Sequence, residues 1–251
     1  MTIPTQPEFL ILMAALFFGG LVKGTVGIGL PTAAFVISAN FVAPLTAIAA
    51  NVLPMLVTNV AQAGESRNWL EIARREKYLL IGWAVGLISG AWILPQISDF
   101  FILLIVGAMV SLFCLIELLV RWPVSDPSSI QKLGFPTGLV SGLLGGISTL
   151  WASPLLIYYT LRQLDKQAFI VTTGLVLTIG GLIVLVSYVA NGVLAGERLC
   201  LSAAGCVPAM AGFLLGKHIR SGLSQTMFRK ALLWVFLIAG LTIIARGLSL
   251  G

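Results

Sequence analysis

Residues 19–31 read GGLVKGTVGIGLP, and residues 137–149 read TGLVSGLLGGIST. A shift of 118 positions carries Gly20, Leu21, Val22, Gly24 and Gly27 onto Gly138, Leu139, Val140, Gly142 and Gly145. Gly86 and Gly90 correspond, at a slightly larger shift, to Gly212 and Gly216. The chain therefore reads as two repeats, 1–125 and 126–251, each opening with a glycine-rich element. Both glycine segments lie inside apolar stretches too long for one ordinary crossing, 9–40 and 133–161. Six more apolar stretches follow at 43–63, 78–95, 100–120, 168–190, 199–216 and 231–245.

Composition says what solvent these stretches need. Of 251 residues, 58% are hydrophobic and 10% charged, with a mean hydropathy of +1.03. A soluble domain carries about 25% charged residues, so this chain cannot cover a water-facing surface. It has ample apolar length for many helices of about 20 residues. The expected class is an all-α polytopic membrane protein, multi-pass in the cell inner (plasma) membrane, with the lipid bilayer as its solvent. The first 22 residues hold no Lys or Arg, so the basic region of a cleaved signal peptide is missing and the start of the chain is expected to be retained.

The net charge of +6 invites a nucleic-acid reading, but the charges sit in short clusters between apolar runs. No basic face tracks a phosphate backbone. Cys114, Cys200 and Cys206 lie in apolar stretches, and the single histidine, His218, sits in a basic loop beside Lys217 and Arg220. That is neither a disulfide scaffold nor a metal site. With no paired carboxylates in a plausible cleft, an enzyme is not expected, and neither is a cofactor. Glu65, Glu71 and Glu76 read as a mixed-charge surface loop, with Trp69 and Leu70 facing lipid from a short interfacial helix.

Charge placement chooses between two topologies. If all eight stretches cross, the basic residues divide almost evenly between the two sides. If each broken element is a re-entrant hairpin, each repeat has three crossings and the repeats are inverted. One side then holds Arg67, Arg74, Arg75, Lys77, Arg121, Lys132, Arg162, Lys166, Lys217, Arg220, Arg229 and Lys230, and the other only Arg198 and Arg246. That bias is the positive-inside pattern. The favoured arrangement is two inverted repeats, each a broken or re-entrant helix element plus three transmembrane helices. Residues 9–23 and 31–40 each read as too short to span about 30 Å. A long tilted helix kinked at glycine is the alternative.

Broken helices in paired positions of two repeats point to a transporter's binding site. Lys23 is the only charged residue between Glu8 and Glu65. An ammonium at membrane depth is expensive and wants something negative beside it. The nearest carboxylate by depth, Glu117, is spaced to pair with Arg121. An anionic ligand therefore fits Lys23, against the alternative that it snorkels to an interface or meets a backbone carbonyl. Pro31 suits the first turn of a helix after the first break, and Ser148 suits a cap for a helix starting at Thr149. Gly24, Gly27, Gly29, Gly142, Gly145 and Gly146 would let the backbone bend and bring amides near an anion. Thr25, Asn51, Thr58, Asn59, Thr149, Ser153, Thr172 and Thr173 lie at similar depth, and of these Thr25, Asn51, Thr149 and Thr172, with Ser148, are expected at the substrate. Each of these polar residues also suits an ordinary interhelical hydrogen bond.

The segment from Gly20 through Lys23, Gly24, Gly27 and Gly29 to Pro31, and its partner from Gly138 through Gly142, Gly145 and Gly146 to Pro154, resemble the duplicated signature of the TauE/SafE sulfite exporter family. The resemblance covers nearly the whole chain. It implies a secondary transporter of a small anion such as sulfite or an organosulfonate. This sequence has Leu30 and Pro31 after Gly29, and Ile147, Ser148 and Thr149 after Gly146, where the family commonly has glycine. Export of an anion from a cell with a negative interior is electrically downhill, about 2.3 kcal/mol per charge per 100 mV. An anion channel, ion-coupled import of a small organic anion, and a non-transporting membrane scaffold remain the alternatives.

Overall fold

The structure is a computed structural model that describes residues 5–64, 68–119, 130–150, 152–164, 166–220 and 225–249. All regular structure among them is helical: α1 (Gln6–Val26), α2 (Leu30–Ser38), α3 (Pro44–Ala50), α4 (Val52–Ala63), α5 (Trp69–Arg75), α6 (Lys77–Ile93), α7 (Asp99–Leu119), α8 (Gly134–Ser148), α9 (Ala152–Leu161), α10 (Lys166–Ala190), α11 (Glu197–Ile219) and α12 (Gln225–Leu248), with a 3₁₀ turn at Leu94–Gln96. Six segments among the described residues are long and apolar enough to cross a membrane, by length and composition: Gln6–Val26, Pro44–Ala63, Lys77–Gln96, Asp99–Leu119, Ala168–Ala190 and Glu197–Ile219. Their exteriors carry large apolar side chains such as Trp92, Leu112 and Val186, as helices in lipid do. The protein is a multi-pass membrane protein.

The first element differs from its sequence reading. At 21 residues, α1 is long enough to cross, because it starts at Gln6 and continues unbroken through Lys23 to Val26. The short partner is α2, whose nine residues rise only about 13 Å. The segment 44–63 is bent where α3 gives way to α4. Pro54 has no N–H to offer the Ala50 carbonyl, and a side chain of α11 steps in, Ser202 Oγ accepting the Leu53 N–H at 3.0 Å.

The chain divides into two compact units, one of residues 1–55, 97–120 and 193–251, the other of residues 56–96 and 121–192. Each draws helices from both halves of the sequence. In the first unit, α1 and α11 lie side by side in the same direction. Gly20 packs on the Ala209 carbonyl, Gly24 on that of Phe213, Gly212 on that of Phe17, and Gly216 on that of Leu21. α2 folds back along α1, with Leu30 and Ala34 against Gly19. α7 and α12 run antiparallel: Gly107 meets Gly240 and Ile244, Gly240 meets Ser111, and Gly247 meets Leu103.

In the second unit, α6 and α8 make the matching parallel pair, with Gly82 on the Phe135 carbonyl, Gly86 on Leu139, Gly138 on Leu79 and Gly142 on Trp83. α10 runs parallel to α6, since Gly180 packs on Trp83 and Asn191 Nδ2 donates to the Ala91 carbonyl at 2.6 Å. It runs antiparallel to the lower part of α4, where Gly181 meets Leu56, Asn59 Nδ2 donates to Leu177 O at 3.1 Å, and Gln62 Nε2 donates to Ile170 O at 2.9 Å.

The two parallel pairs align residue by residue. Gly212 sits on Phe17 and Leu21, and Gly82 sits on Phe135 and Leu139, their equivalents at the shift of 118. Gly82 and Gly86 are therefore the counterparts of Gly212 and Gly216. The sequence pairing of Gly86 and Gly90 with those residues is one helical turn out of register. Glycine recurs every four residues in both stretches, so a slip of one turn preserves the matches and only the packing separates them. A Cβ at any of these positions would strike an opposing carbonyl, and such overpacking costs about 1–3 kcal/mol.

Candidate functional site

The first broken element is the α1–α2 hairpin. α1 ends at Gly27 (φ 95°), whose N–H donates to Lys23 O at 2.7 Å, and Gly29 (φ 100°) precedes α2. Both lie in left-handed backbone that glycine enters without strain, so these two residues make the reversal. Pro31 falls in the first turn of α2 as expected. The Leu30 and Thr32 N–H groups precede the first intrahelical bond of that helix, from Ala33 N to Gly29 O at 3.0 Å.

Lys23 is buried in the last turn of α1, only 2% exposed, with Nζ 6.0 Å from the centroid of the Phe213 ring. A side chain snorkelling to an exposed interface would show its head group, and this one does not. One residue on, Arg220 Nε donates to the Gly24 carbonyl at 3.0 Å. Two cations thus reach the carbonyl end of α1, where the helix dipole favours them. Thr25 turns back onto its own helix, Oγ1 donating to Val22 O at 2.8 Å. Gly24 packs against α11 rather than bending the chain. Asn51 lies at the α3–α4 bend, buried, with Nδ2 donating to Ala47 O at 3.0 Å and Oδ1 without a partner among the described residues.

The second broken element, α8–α9, departs from its sequence reading. Gly142, Gly145 and Gly146 do not form the break: α8 runs through all three to Ser148. Gly142 and Gly146 instead take α6 at close range, against the Trp83 and Leu87 carbonyls. The turn comes one helical turn later, at Thr149 (φ 60°), whose N–H closes on Gly145 O at 2.7 Å. Ser148 does not cap a helix starting at Thr149. It is the last residue of α8, and its Oγ accepts the Leu150 N–H at 3.1 Å before α9 begins at Ala152. Arg121 lies outside the described residues, so its expected pairing with Glu117 stays a sequence reading.

A third group was misread. Glu76 is not a solvated surface carboxylate but is 1% exposed, at the joint of α5 and α6. Arg162 Nη1 donates to both its oxygens, at 2.6 and 2.7 Å. Arg75 Nε adds a 3.1 Å contact to Oε1, and Arg75 Nη2 donates to Thr172 Oγ1 at 2.9 Å. Arg162 follows the end of α9, beside the left-handed turn residue Gln163 (φ 52°), and lies over the rings of Tyr158 and Tyr159. Burial works against its charge, but the Glu76 carboxylate outweighs that and holds the guanidinium above its ordinary value. Thr172 is therefore tied to Arg75. The neighbouring short helix does form, with Trp69 and Leu70 exposed as expected.

The fold thus gathers Lys23, Gly24, Thr25, Gly27 and Gly29 into one hairpin. It gathers Gly142, Gly145, Gly146, Ser148 and Thr149 into a second, and sets Asn51 at a helix bend. A protein-family model described as Sulfite exporter TauE/SafE matches residues 12–243. No curated protein and no solved structure matches the chain.

Proposed function

Because the chain belongs to the sulfite exporter TauE/SafE family, whose members are membrane transporters of sulfur anions rather than enzymes, we propose that it is a secondary transporter exporting sulfite or an organosulfonate across the plasma (inner) membrane. The observation that carries this reading is a buried ammonium, Lys23, in the last turn before a glycine reversal that leads into a helix N-terminus. Ammonium and amides together favour a small oxyanion. The substrate would meet Lys23, Gly24, Thr25, Gly27 and Gly29 on one hairpin. In the second unit Ser148 and Thr149 stand at the corresponding turn, and Gly142 and Gly146 let α8 approach α6 closely. Asn51 would act from the α3–α4 bend of the same unit as the Lys23 hairpin.

Alternating access needs two inverted repeats, and helix directions within each unit support them. The corresponding helices α4 and α10 run antiparallel, and so do α7 and α12. Eight full crossings would make both of those pairs parallel and would set α6 against α10. In this arrangement residues 1–125 and 126–251 are the repeats, each with a hairpin that enters and leaves on one side. Single cysteines replacing Ser128 and Ser221 should label from the cytoplasm, and one replacing Asn191 from outside. External labelling at Ser221 would restore eight crossings.

The functional test is sulfite flux in reconstituted vesicles. A transporter gives saturable efflux that external sulfite accelerates by counterflow. An anion channel gives flux that neither saturates nor supports counterflow. Uptake driven only by an ion gradient would reverse the direction.

A further inference from the structure

The Glu76 cluster is arranged for more than an ion pair. Arg162 spends a single nitrogen, Nη1, on both carboxylate oxygens and on the Tyr158 hydroxyl at 3.4 Å. Tyr159, 1% exposed, has a hydroxyl with no partner among the described residues, and its ring centroid lies 6.0 Å from the Arg162 guanidinium carbon. The side chain of Arg75 is 38% exposed, so one edge of the cluster lies at the surface of the unit. Among the described residues, two guanidinium groups share one carboxylate here. The Tyr159 hydroxyl is a buried donor without an acceptor among the described residues, which is costly, and donors beside surplus positive charge are matched by an anion.

We infer that this cluster is a second oxyanion site, in which Arg162 and the Tyr159 hydroxyl bind a small sulfonate- or sulfite-like anion and Glu76 is a tethered carboxylate that the anion competes with. When the site is empty, Glu76 holds the guanidinium in place. When an anion arrives, it takes the Tyr159 hydroxyl and competes for the Arg162 guanidinium, which loosens the Glu76–Arg162 contact. Because that contact ties the end of α9 to the start of α6, occupancy is coupled to the position of the broken element. The ligand class rests on the transporter reading, but the site is distinct from the Lys23 hairpin.

Competition gives the proposal a sign that a purely structural ion pair does not have. The probe is sulfite, added to detergent-solubilised full-length protein carrying Lys23→Met, with chloride at equal ionic strength as the control. Sulfite should still bind. Glu76→Gln should lower the melting temperature without ligand, bind sulfite about threefold or more tightly, and recover melting temperature as sulfite is added. Tyr159→Phe removes a hydroxyl with no partner among the described residues, so the fold should survive while sulfite affinity falls about tenfold, as for a hydrogen bond to a charged group. Unchanged affinity in Tyr159→Phe, or a Glu76→Gln protein that melts earlier and gains nothing from sulfite, would overturn the second site while leaving the Lys23 reading intact. No sulfite binding even to the wild-type protein would overturn both.

Discussion

The two broken hairpins begin alike and end differently. Up to Gly24 in one and Gly142 in the other, the same glycine ladder seats the helix on its partner, carbonyl against glycine, at equivalent positions. Beyond that point α1 stops and turns through two glycines, Gly27 and Gly29, while α8 continues one more turn and reverses at a threonine, Thr149. Lys23 stands where the second hairpin has Ser141, and Phe213 stands where it has Trp83. The first hairpin is braced by Arg220 on a carbonyl, the second by a buried Glu76–Arg162 pair. The same glycine packing recurs in both, and the charge is distributed unequally over it.

The braces differ most in energy. Glu76→Gln leaves Arg162 buried beside a neutral amide and should cost about 3–5 kcal/mol, as for a buried pair stripped of one partner. Arg220→Ala gives up one charge-assisted bond on a partly exposed side chain and should cost no more than about 1.5 kcal/mol. Thermal unfolding in detergent compares them. If Arg220→Ala is the more damaging, the contrast between the hairpins is wrong.

The shared ladder predicts equality instead. Gly24→Leu and Gly142→Leu both drive a side chain into an opposing backbone carbonyl, and each should lose about 3 kcal/mol, at the upper end for overpacking. Transport should fall in both even where the protein reaches the membrane. A tolerated Gly142→Leu would mean that α8 does not need its close approach to α6.

The turns predict small effects of opposite sign. Gly29→Ala places a side chain at φ 100° and should destabilise by about 1 kcal/mol, whereas Thr149→Gly relieves a β-branched residue at φ 60° and should stabilise by about 1 kcal/mol. Melting temperatures shifting in the same direction would show that the two reversals are not built as described.

The sequence carried the solvent and the position of the first break, because hydropathy and glycine at 27 and 29 are local signals. It did not carry the second break. Gly142 and Gly146 serve close packing, and a glycine that accepts a neighbouring backbone looks in sequence like one that bends its own. Thr149 in left-handed backbone is a conformation that no threonine announces. The one-turn register error between α6 and α11 arose from the four-residue spacing of the ladder itself. Glu76 was hidden for another reason: its partner Arg162 is 86 residues away, and a loop full of charges gives no hint which one is inside. Lys23 was legible because nothing else charged lies near it in the chain.

The central claim is that the unequal charge serves an anion, and it is tested most directly by sulfite counterflow in vesicles carrying either Lys23→Met or Ser141→Ala. Lys23→Met keeps most of the side chain's length and removes only the ammonium. A net interaction of about 1.4–3 kcal/mol corresponds to sulfite half-saturation roughly 10- to 160-fold weaker. The fold should be unharmed or slightly more stable, and Lys23→Arg should rescue only in part because the planar fork needs different geometry. Ser141→Ala, at the equivalent place in the second hairpin, should leave half-saturation within about twofold of wild type, since no substrate charge is met there. Unchanged half-saturation in a well-folded Lys23→Met protein would contradict the account and remove Lys23 from the site.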